Sequence, residues 1–166
     1  MLRNSYCLIG LPYSGKTYIG RKVSLTNNKG FIDTDHIIKY KYNTDLKNII
    51  NEKGIKEFMN IENEILKNIH CENTIISSGG SSIYSHLGME HIKYTLNCDI
   101  IHLHLSFNEF NKRVTDLNDR GVINPNNLSF KELYNERIDL CNYYSNKVVD
   151  ANDKTNLYKN LINIIE

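Results

Sequence analysis

Short apolar runs alternate along this chain with longer stretches in which apolar residues recur every three or four positions. Five runs have the length and composition of buried strands. They cover residues 6–9, 31–33, 74–77, 99–105 and 147–150. The intervening stretches have the period of a helix with one buried face. This alternation predicts an α/β fold of three layers, in which helices cover both faces of a five-stranded parallel sheet.

The predicted helices differ in how clearly the pattern marks them. The clearest apolar stripe runs from Phe58 to Ile69, whereas residues 83–96 are predicted to be helical on a weaker pattern. Ser106 is a predicted N-cap. Ser129 is another, and Glu132 three residues later completes a capping box.

Residues 117–128 interrupt the alternation. This stretch is polar, contains Gly121 and Pro125, and shows no apolar period. Loops of this kind commonly cover ligand sites and move during turnover. We therefore predict a mobile lid loop here.

Composition and charge limit the classes of protein to consider. A chain of 166 residues with 40% hydrophobic residues predicts a single domain over residues 1–166. The net charge of +1 gives no broad basic surface, so we expect no nucleic-acid partner. No apolar run approaches the roughly 18 residues that a membrane span needs. The four cysteines form no C-x-x-C pair and favour a reducing compartment. We expect a cytoplasmic monomer that does not bind a membrane.

The segment Gly10–Thr17 matches the pattern G-x-x-x-x-G-K-[ST] at every fixed position. It lies between the first predicted strand and a helix over residues 17–25, which is the context that a phosphate-binding loop requires. Backbone N–H groups of such a loop cradle phosphate oxygens, and the helix adds the positive end of its dipole. Lys16 would reach the outer phosphates, and the Thr17 hydroxyl would bind Mg²⁺. A chance glycine turn is the alternative, and the flanking strand and helix argue against it.

Polar residues also follow the second and third predicted strands. Asp33 and Asp35 end one strand, and Gly79 and Gly80 follow the other. Ligands of parallel sheets bind beyond the carboxyl ends of the strands, so these residues are expected to face the glycine loop across one crevice. One carboxylate could hold Mg²⁺, and the other could accept a proton from an attacking hydroxyl.

Each of these candidates also has a structural explanation. Asp35 could be only the cap of the next helix, and the glycine pair could be a plain tight turn. Arginine suits bidentate binding of phosphate and carboxylate, but an isolated arginine is as often a solvated surface residue. Three arginines are candidates: Arg113, Arg120 and Arg137. His102 and His104 lie on one face of the fourth strand, where buried histidines are a better explanation than a metal pair.

These features together resemble the shikimate kinase family, whose members are P-loop kinases of the nucleoside-monophosphate-kinase-like group. The resemblance extends over nearly the whole chain. It rests on the glycine loop continued to Arg21, on 31–35, on Glu57 and Phe58 with Glu62 and Glu64, on 78–81, on 120–122, on 132–137, and on 149–150. The glycine loop is common to many families, whereas the Asp-Thr-Asp and Glu-Arg placements are much more specific.

The resemblance implies transfer of the γ-phosphate of ATP to the 3-hydroxyl of shikimate in aromatic amino acid biosynthesis. It implies Mg²⁺ as cofactor, held by Thr17 and Asp33. Lys16, Asp35 and Arg120 would be catalytic, with Arg120 acting from the lid. The residues that would contact ATP are Gly10, Ser14, Gly15, Lys16, Thr17, Tyr18, Arg113 and Arg120.

The resemblance also implies an acceptor site. Asp35 and Gly80 would contact the hydroxyl side of shikimate, and Arg137 would pair with its carboxylate. The helices over about residues 35–69 would form the acceptor-binding region.

Three departures from the family pattern concern this acceptor site. Met59 stands where the family has an arginine that binds the carboxylate, and Ser81 stands in place of a third glycine. The Pro-Leu-Tyr that commonly follows the Glu-Arg motif is replaced near 138–141. A related kinase with a different acceptor is therefore an alternative hypothesis. A nucleotide-binding protein without acceptor chemistry is another, although the intact candidate residues argue against it.

Overall fold

The computed structural model describes residues 5–114 and 122–165. Its five strands are β1 Tyr6–Ile9, β2 Gly30–Asp33, β3 Thr74–Ser77, β4 Asp99–His104 and β5 Lys147–Asp150. All pair in parallel, in the spatial order β2-β3-β1-β4-β5. Strands β2 and β3 lie on one side of β1, and β4 and β5 lie on the other, so the direction of strand order reverses at β1. In such sheets a crevice forms at this reversal, beyond the carboxyl end of β1. The prediction of a five-stranded parallel sheet is confirmed.

Helices follow the strands and cover both faces of the sheet. They are α1 Lys16–Thr26, α2 Thr34–Tyr42, α3 Leu46–Lys53, α4 Ile55–Lys67, α5 His86–Glu90, α6 Phe107–Arg113, α7 Phe130–Tyr144 and α8 Lys154–Ile165. On one face, Leu8 packs with side chains of α1 and α8. On the other face, Cys7 and Ile9 pack with side chains of α4 and α7. Alternate side chains of β1 therefore pack into two separate cores, as a parallel strand covered on both sides requires.

A third apolar cluster lies away from the sheet, among the helices predicted to bind the acceptor. Ile38 of α2, Ile49 of α3, and Phe58 and Ile61 of α4 form its buried centre. Ile123 completes it and is 2% exposed. This residue belongs to the predicted polar lid loop, so the described part of that loop, 122–128, is anchored to the acceptor-side helices.

Some local predictions differ from the structure. Residues 83–96 do not form one helix, because a 3₁₀ turn at Ser82–Tyr84, the short α5, and a π-helical turn at His91–Thr95 follow one another. The two predicted N-caps are confirmed. Ser106 accepts a hydrogen bond from the Glu109 N–H, and Ser129 forms the full capping box. Within the described residues, none of the helices is both long and apolar enough to cross a membrane.

Candidate active site

Residues that directly follow β1, β2 and β3 line one cavity of about 500 Å³. Nine predicted site residues lie along its wall. They are Ser14, Gly15, Lys16, Thr17, Tyr18, Asp35, Gly80, Arg113 and Arg137. Two others lie just behind it: Gly10 and Asp33 contact lining residues through hydrogen bonds. Arg120 and the first part of the predicted lid, 117–121, lie outside the described residues.

The glycine loop owes its shape to two backbone positions. Gly10 has φ of 147°, and a Cβ atom there would lie 2.7 Å from the carbonyl oxygen of Leu103. Gly15 has φ of 92° and immediately precedes α1. Only glycine adopts such angles without strain, and this lets the loop fold back so that α1 begins at Lys16 and points its N-terminal end into the cavity.

Lys16 is 7% exposed, and its ammonium group is held by the loop itself. The Nζ atom donates to the carbonyl oxygens of Gly10 and Leu11 at 2.8 and 2.9 Å, and approaches Ser14 Oγ at 3.4 Å. Burial lowers the pKa of Lys16 to about 8, and the negative charge of Asp35 opposes this shift. The loop thus presents a positive charge at the place where phosphate would bind.

Thr17 and Asp33 bring two oxygen ligands together at the end of β2. The Thr17 hydroxyl donates to Asp33 Oδ2 at 2.6 Å and lies 3.4 Å from Ser77 Oγ. Asp33 also caps α2 by accepting from the His36 N–H at 3.1 Å. Asp33 is both the last residue of β2 and the N-cap of α2, so the alternative explanation of Asp35 as the cap is wrong. Hydroxyl and carboxylate oxygens suit Mg²⁺, so this pair fits the ion.

Asp35 lies in the first turn of α2, and its side chain lines the cavity. Burial raises the pKa of Asp35, and the neighbouring Asp33 raises it further, whereas Lys16 opposes the increase. A carboxyl group of raised basicity close to the phosphate loop is chemically suited to take a proton from a hydroxyl.

Gly79 and Gly80 have different environments. A Cβ atom at Gly79 would lie 2.6 Å from Asp35 Oδ1 and 2.7 Å from Glu62 Oε1, so a side chain is excluded there. Gly80 faces the cavity, and its carbonyl oxygen accepts a hydrogen bond of 3.1 Å from Arg137 Nη1. The plain tight turn is therefore not a sufficient explanation of the pair.

Arg137 is 1% exposed, which excludes a solvated surface role. Its Nη2 atom donates to the Ile123 carbonyl oxygen at 2.7 Å, and its Nε atom is buried with no hydrogen-bond partner among the described residues. An unsatisfied N–H of a buried guanidinium is costly, which favours a ligand oxygen at this place.

Arg113 lies at the other end of the cavity and is also not a free surface residue. Its guanidinium donates to the carbonyl oxygens of Tyr13, Ala151 and Asn152 at distances between 2.9 and 3.3 Å. It thereby joins the glycine loop to the segment between β5 and α8. By contrast, Tyr18, a predicted ATP contact in the first turn of α1, is 69% exposed at the cavity rim.

The histidines of β4 do not form a metal site with other described residues, among which no cluster of three or more His, Cys, Asp or Glu ligands occurs. His102 is fully buried, and its Nδ1 lies 3.0 Å from Asn142 Oδ1. Burial lowers the pKa of His102 to about 4. It is a neutral core histidine, as expected.

Glu62 is the residue whose importance the sequence reasoning missed. It contributed to the family resemblance but was given no role, yet it is 2% exposed and accepts a 2.8 Å hydrogen bond from Ser81 Oγ. The signal was available, because a glutamate four residues after Phe58 lies on the apolar face of α4. A charged residue within such a stripe indicates a buried polar role.

The parallel sheet, the glycine loop at its reversal point and the carboxylate beside that loop define a P-loop kinase. Comparison with known proteins identifies the family. The family model described as shikimate kinase matches residues 12–166. The chain is 32% identical to shikimate kinase from Staphylococcus aureus (strain JH9), over 96% of this chain and 92% of that protein.

Solved structures agree in fold. Shikimate kinase from Aquifex aeolicus superposes with a TM-score of 0.82 at 24% identity, covering 95% of this chain and 94% of the other. Shikimate kinase from Acinetobacter baumannii, solved in complex with shikimate, gives a TM-score of 0.77 at 18% identity, covering 97% and 92%.

The chain therefore belongs to the shikimate kinase family and is a kinase that uses ATP. The match does not favour the two alternatives, a kinase with another acceptor and a nucleotide-binding protein without acceptor chemistry.

Proposed function

We propose that this protein transfers the γ-phosphate of ATP to the 3-hydroxyl of shikimate. The observation that carries this proposal is that Lys16, Thr17, Asp35, Gly80 and Arg137 all line the same cavity. A donor phosphate and a small carboxylic-acid acceptor can therefore meet in one cavity. Enzymes of this kind act mainly by positioning and by stabilising charge.

The nucleotide side of the cavity is built from the glycine loop. Its N–H groups, the N-terminal end of α1 and the Lys16 ammonium would hold the phosphates of ATP. Arg113 would lie against the adenine, since its hydrogen bonds to three carbonyl oxygens fix the guanidinium plane and leave its faces for stacking. Arg120 would bring a further positive charge to the transferring phosphate from the lid.

Thr17 and Asp33 would hold Mg²⁺ beside the outer phosphates, because their oxygens already lie 2.6 Å apart. When bound, the ion would neutralise charge on the phosphate oxygens. Within the protein, the short contact to Thr17 and the cap of α2 keep the Asp33 carboxylate in place.

The acceptor side would use Asp35 as the base or orienter of the 3-hydroxyl and Arg137 as the partner of the carboxylate. The raised pKa of Asp35 supports the first role. The buried, unpartnered Nε atom of Arg137 supports the second. Gly80 would approach the substrate through its backbone, since it lines the cavity without a side chain.

A coupled assay of ADP release, with and without shikimate, tests this proposal. We expect ADP release that depends on shikimate and a product phosphorylated at the 3-hydroxyl, identified by NMR. Release that depends on a different acceptor, with none for shikimate, would replace the proposed substrate. ATP binding without any acceptor-dependent turnover would leave only a nucleotide-binding protein.

The proposal also includes a single domain over residues 1–166 that acts as a cytoplasmic monomer. Size-exclusion chromatography with light scattering tests the oligomeric state. A mass near 19.3 kDa is expected for one chain.

A further inference from the structure

A buried carboxyl group that the proposed reaction does not use lies behind the acceptor end of the cavity. Glu62 Oε1 accepts the Ser81 hydroxyl at 2.8 Å, whereas Oε2 is buried with no hydrogen-bond partner among the described residues. Ser81 lines the cavity. The Ser81 hydroxyl therefore joins Glu62 to the acceptor site.

The carboxyl groups of Glu62 and Asp35 are close neighbours. Glu62 Oε1 and Asp35 Oδ1 lie 2.7 and 2.6 Å from the same point, the position that a Cβ atom would occupy at Gly79. Two carboxylates so close together, one of them only 2% exposed, disfavour each other's charge. One of the two is therefore expected to hold a proton more readily than an isolated carboxyl group would.

The groups around Glu62 and Asp35 indicate that Glu62 is the carboxyl group that holds the proton more readily. Burial raises the pKa of Glu62 to about 8, and the negative charge of Asp35 adds to the increase. The Ser81 hydrogen bond opposes it most, followed by the charge of Arg137 and the Ser82 hydroxyl. Arg137 directs two of its N–H groups at the carbonyl oxygens of Gly80 and Ile123. Asp35 has Lys16 as an opposing charge. Glu62 thus lacks a cation at contact distance among the described residues.

We propose that Glu62 is a positioning residue that is protonated when the acceptor is bound, so that acceptor binding takes up a proton and Ser81 sets the pH of this coupling. The proposal rests on the proposed function, in which the acceptor is an anion held by Arg137. A second buried carboxylate behind Asp35 would repel that anion. A neutral Glu62 removes the repulsion and leaves Asp35 ionised for the acceptor hydroxyl. The proton comes from solvent.

The Ser81 hydrogen bond predicts in which direction the pH dependence of acceptor binding moves when the hydroxyl is removed. Its hydroxyl donates to Glu62 Oε1 and therefore stabilises the charged carboxylate. Removing the hydroxyl should raise the pKa of Glu62, and the pH at which acceptor binding weakens should move upward. A purely structural role for Ser81 would change affinity without moving this pH.

Calorimetric titration of the full chain with shikimate, between pH 7 and 9 and in buffers of different ionisation enthalpy, tests the proposal. We expect net proton uptake near pH 8 and a Kd that increases at higher pH, by at most about tenfold per pH unit for one coupled proton. Glu62→Gln, which mimics the protonated group, should bind shikimate with a smaller uptake and a flatter profile, in which the remaining change comes from Lys16, whose pKa is about 8. Ser81→Ala should move the rise in Kd to higher pH.

Glu64→Gln is the matched control, because Glu64 lies on the same helix but pairs with Lys67 at 2.9 Å on the surface. It should retain both the uptake and the profile. Shikimate binding without proton uptake by the unmodified chain would overturn the proposal, as would an uptake in Glu62→Gln equal to that of the unmodified chain. Absence of both binding and turnover of shikimate at every pH would instead overturn the proposed function.

Discussion

Lys16 occupies its position before any phosphate arrives. Two carbonyl oxygens of the glycine loop hold its ammonium group, and burial lowers its pKa to about 8. The side chain is thus fixed near the place of action, which reduces the ordering needed when ATP binds. The sequence motif identified this residue, whereas its internal hydrogen bonds required the folded loop.

Replacing Lys16 by alanine should abolish turnover, because no other group of the loop supplies a positive charge to the outer phosphates. A loss of at least about a hundredfold in kcat is expected from removal of one charge-stabilising donor. The ADP-release assay measures it. Lys56→Ala, which changes an exposed lysine of α4, should leave the rate unchanged. Retained turnover in Lys16→Ala would contradict the proposed reaction.

Helix α4 connects the acceptor site with the third apolar cluster. Phe58 lines the cavity, Met59 packs against the cluster, and Glu62 lies one turn further along on the buried side. Side chains three residues apart on a helix are neighbours. A cation at position 59 would therefore act on both the acceptor and Glu62.

Met59→Arg is expected to lower the KM for shikimate and leave the KM for ATP nearly unchanged. A charge-assisted hydrogen bond contributes about 1.5–3 kcal/mol, which corresponds to roughly tenfold or more in affinity. Steady-state kinetics with each substrate varied in turn provides the measurement. Met59→Leu, which keeps an apolar side chain of similar size, is the control. If neither variant changes the KM for shikimate, the carboxylate is held by other residues.

The Ser106 hydroxyl group makes two hydrogen bonds at the start of helix α6. Ser106 Oγ accepts from the Glu109 N–H at 3.3 Å and lies 3.0 Å from Asn152 Oδ1, to which it donates. The cap and the link to the segment before α8 are thus made by the same hydroxyl group.

Ser106→Ala should lower the free energy of unfolding by about 1 kcal/mol, the usual effect of losing an N-cap. Urea denaturation measures the change. Ser145→Ala, at the C-terminal end of α7, removes only a weak exposed contact of 3.5 Å and should change stability by less than about 0.5 kcal/mol. Equal stabilities of the two variants would show that the Ser106 cap contributes nothing.

At the scale of the whole molecule, the free energy of unfolding depends on pH through His102 in β4. This histidine is fully buried in β4, and burial lowers its pKa to about 4. In the unfolded chain its pKa is about 6.5, so the unfolded state binds a proton that the folded state does not. The contribution of His102 to the free energy of unfolding is fully present above pH 6.5 and is lost as the pH falls toward 4.

The free energy of unfolding should therefore decrease between pH 6.5 and 4, by up to about 3 kcal/mol from this group. Urea denaturation at several pH values tests this for the parent chain and for His102→Gln, in which the decrease should be smaller. His70→Gln changes an exposed histidine and serves as the control. A decrease of equal size in the parent and in His102→Gln would mean that other groups cause the acid sensitivity.

Features that depend on neighbouring residues were predictable from the sequence. The bounds of β3 and β5 agree with the apolar runs, and the glycine loop and the Ser129 capping box occur where their patterns predict. The reason is that strand period, turn chemistry and caps are decided within a few residues. The π-helical turn at His91–Thr95 did not follow from pattern, because the weak apolar period of 83–96 was compatible with a regular helix.

Long-range packing decided the rest of the candidate site. The parallel pairing of β1 with both β3 and β4 brings the glycine loop beside Asp35 and Gly80, and no local pattern specifies that order. The sequence determined the fold class and the phosphate loop. Only the tertiary structure brought Thr17 beside Asp33 and Glu62 beside Gly79, because these contacts join segments far apart in the chain and depend on how the elements pack.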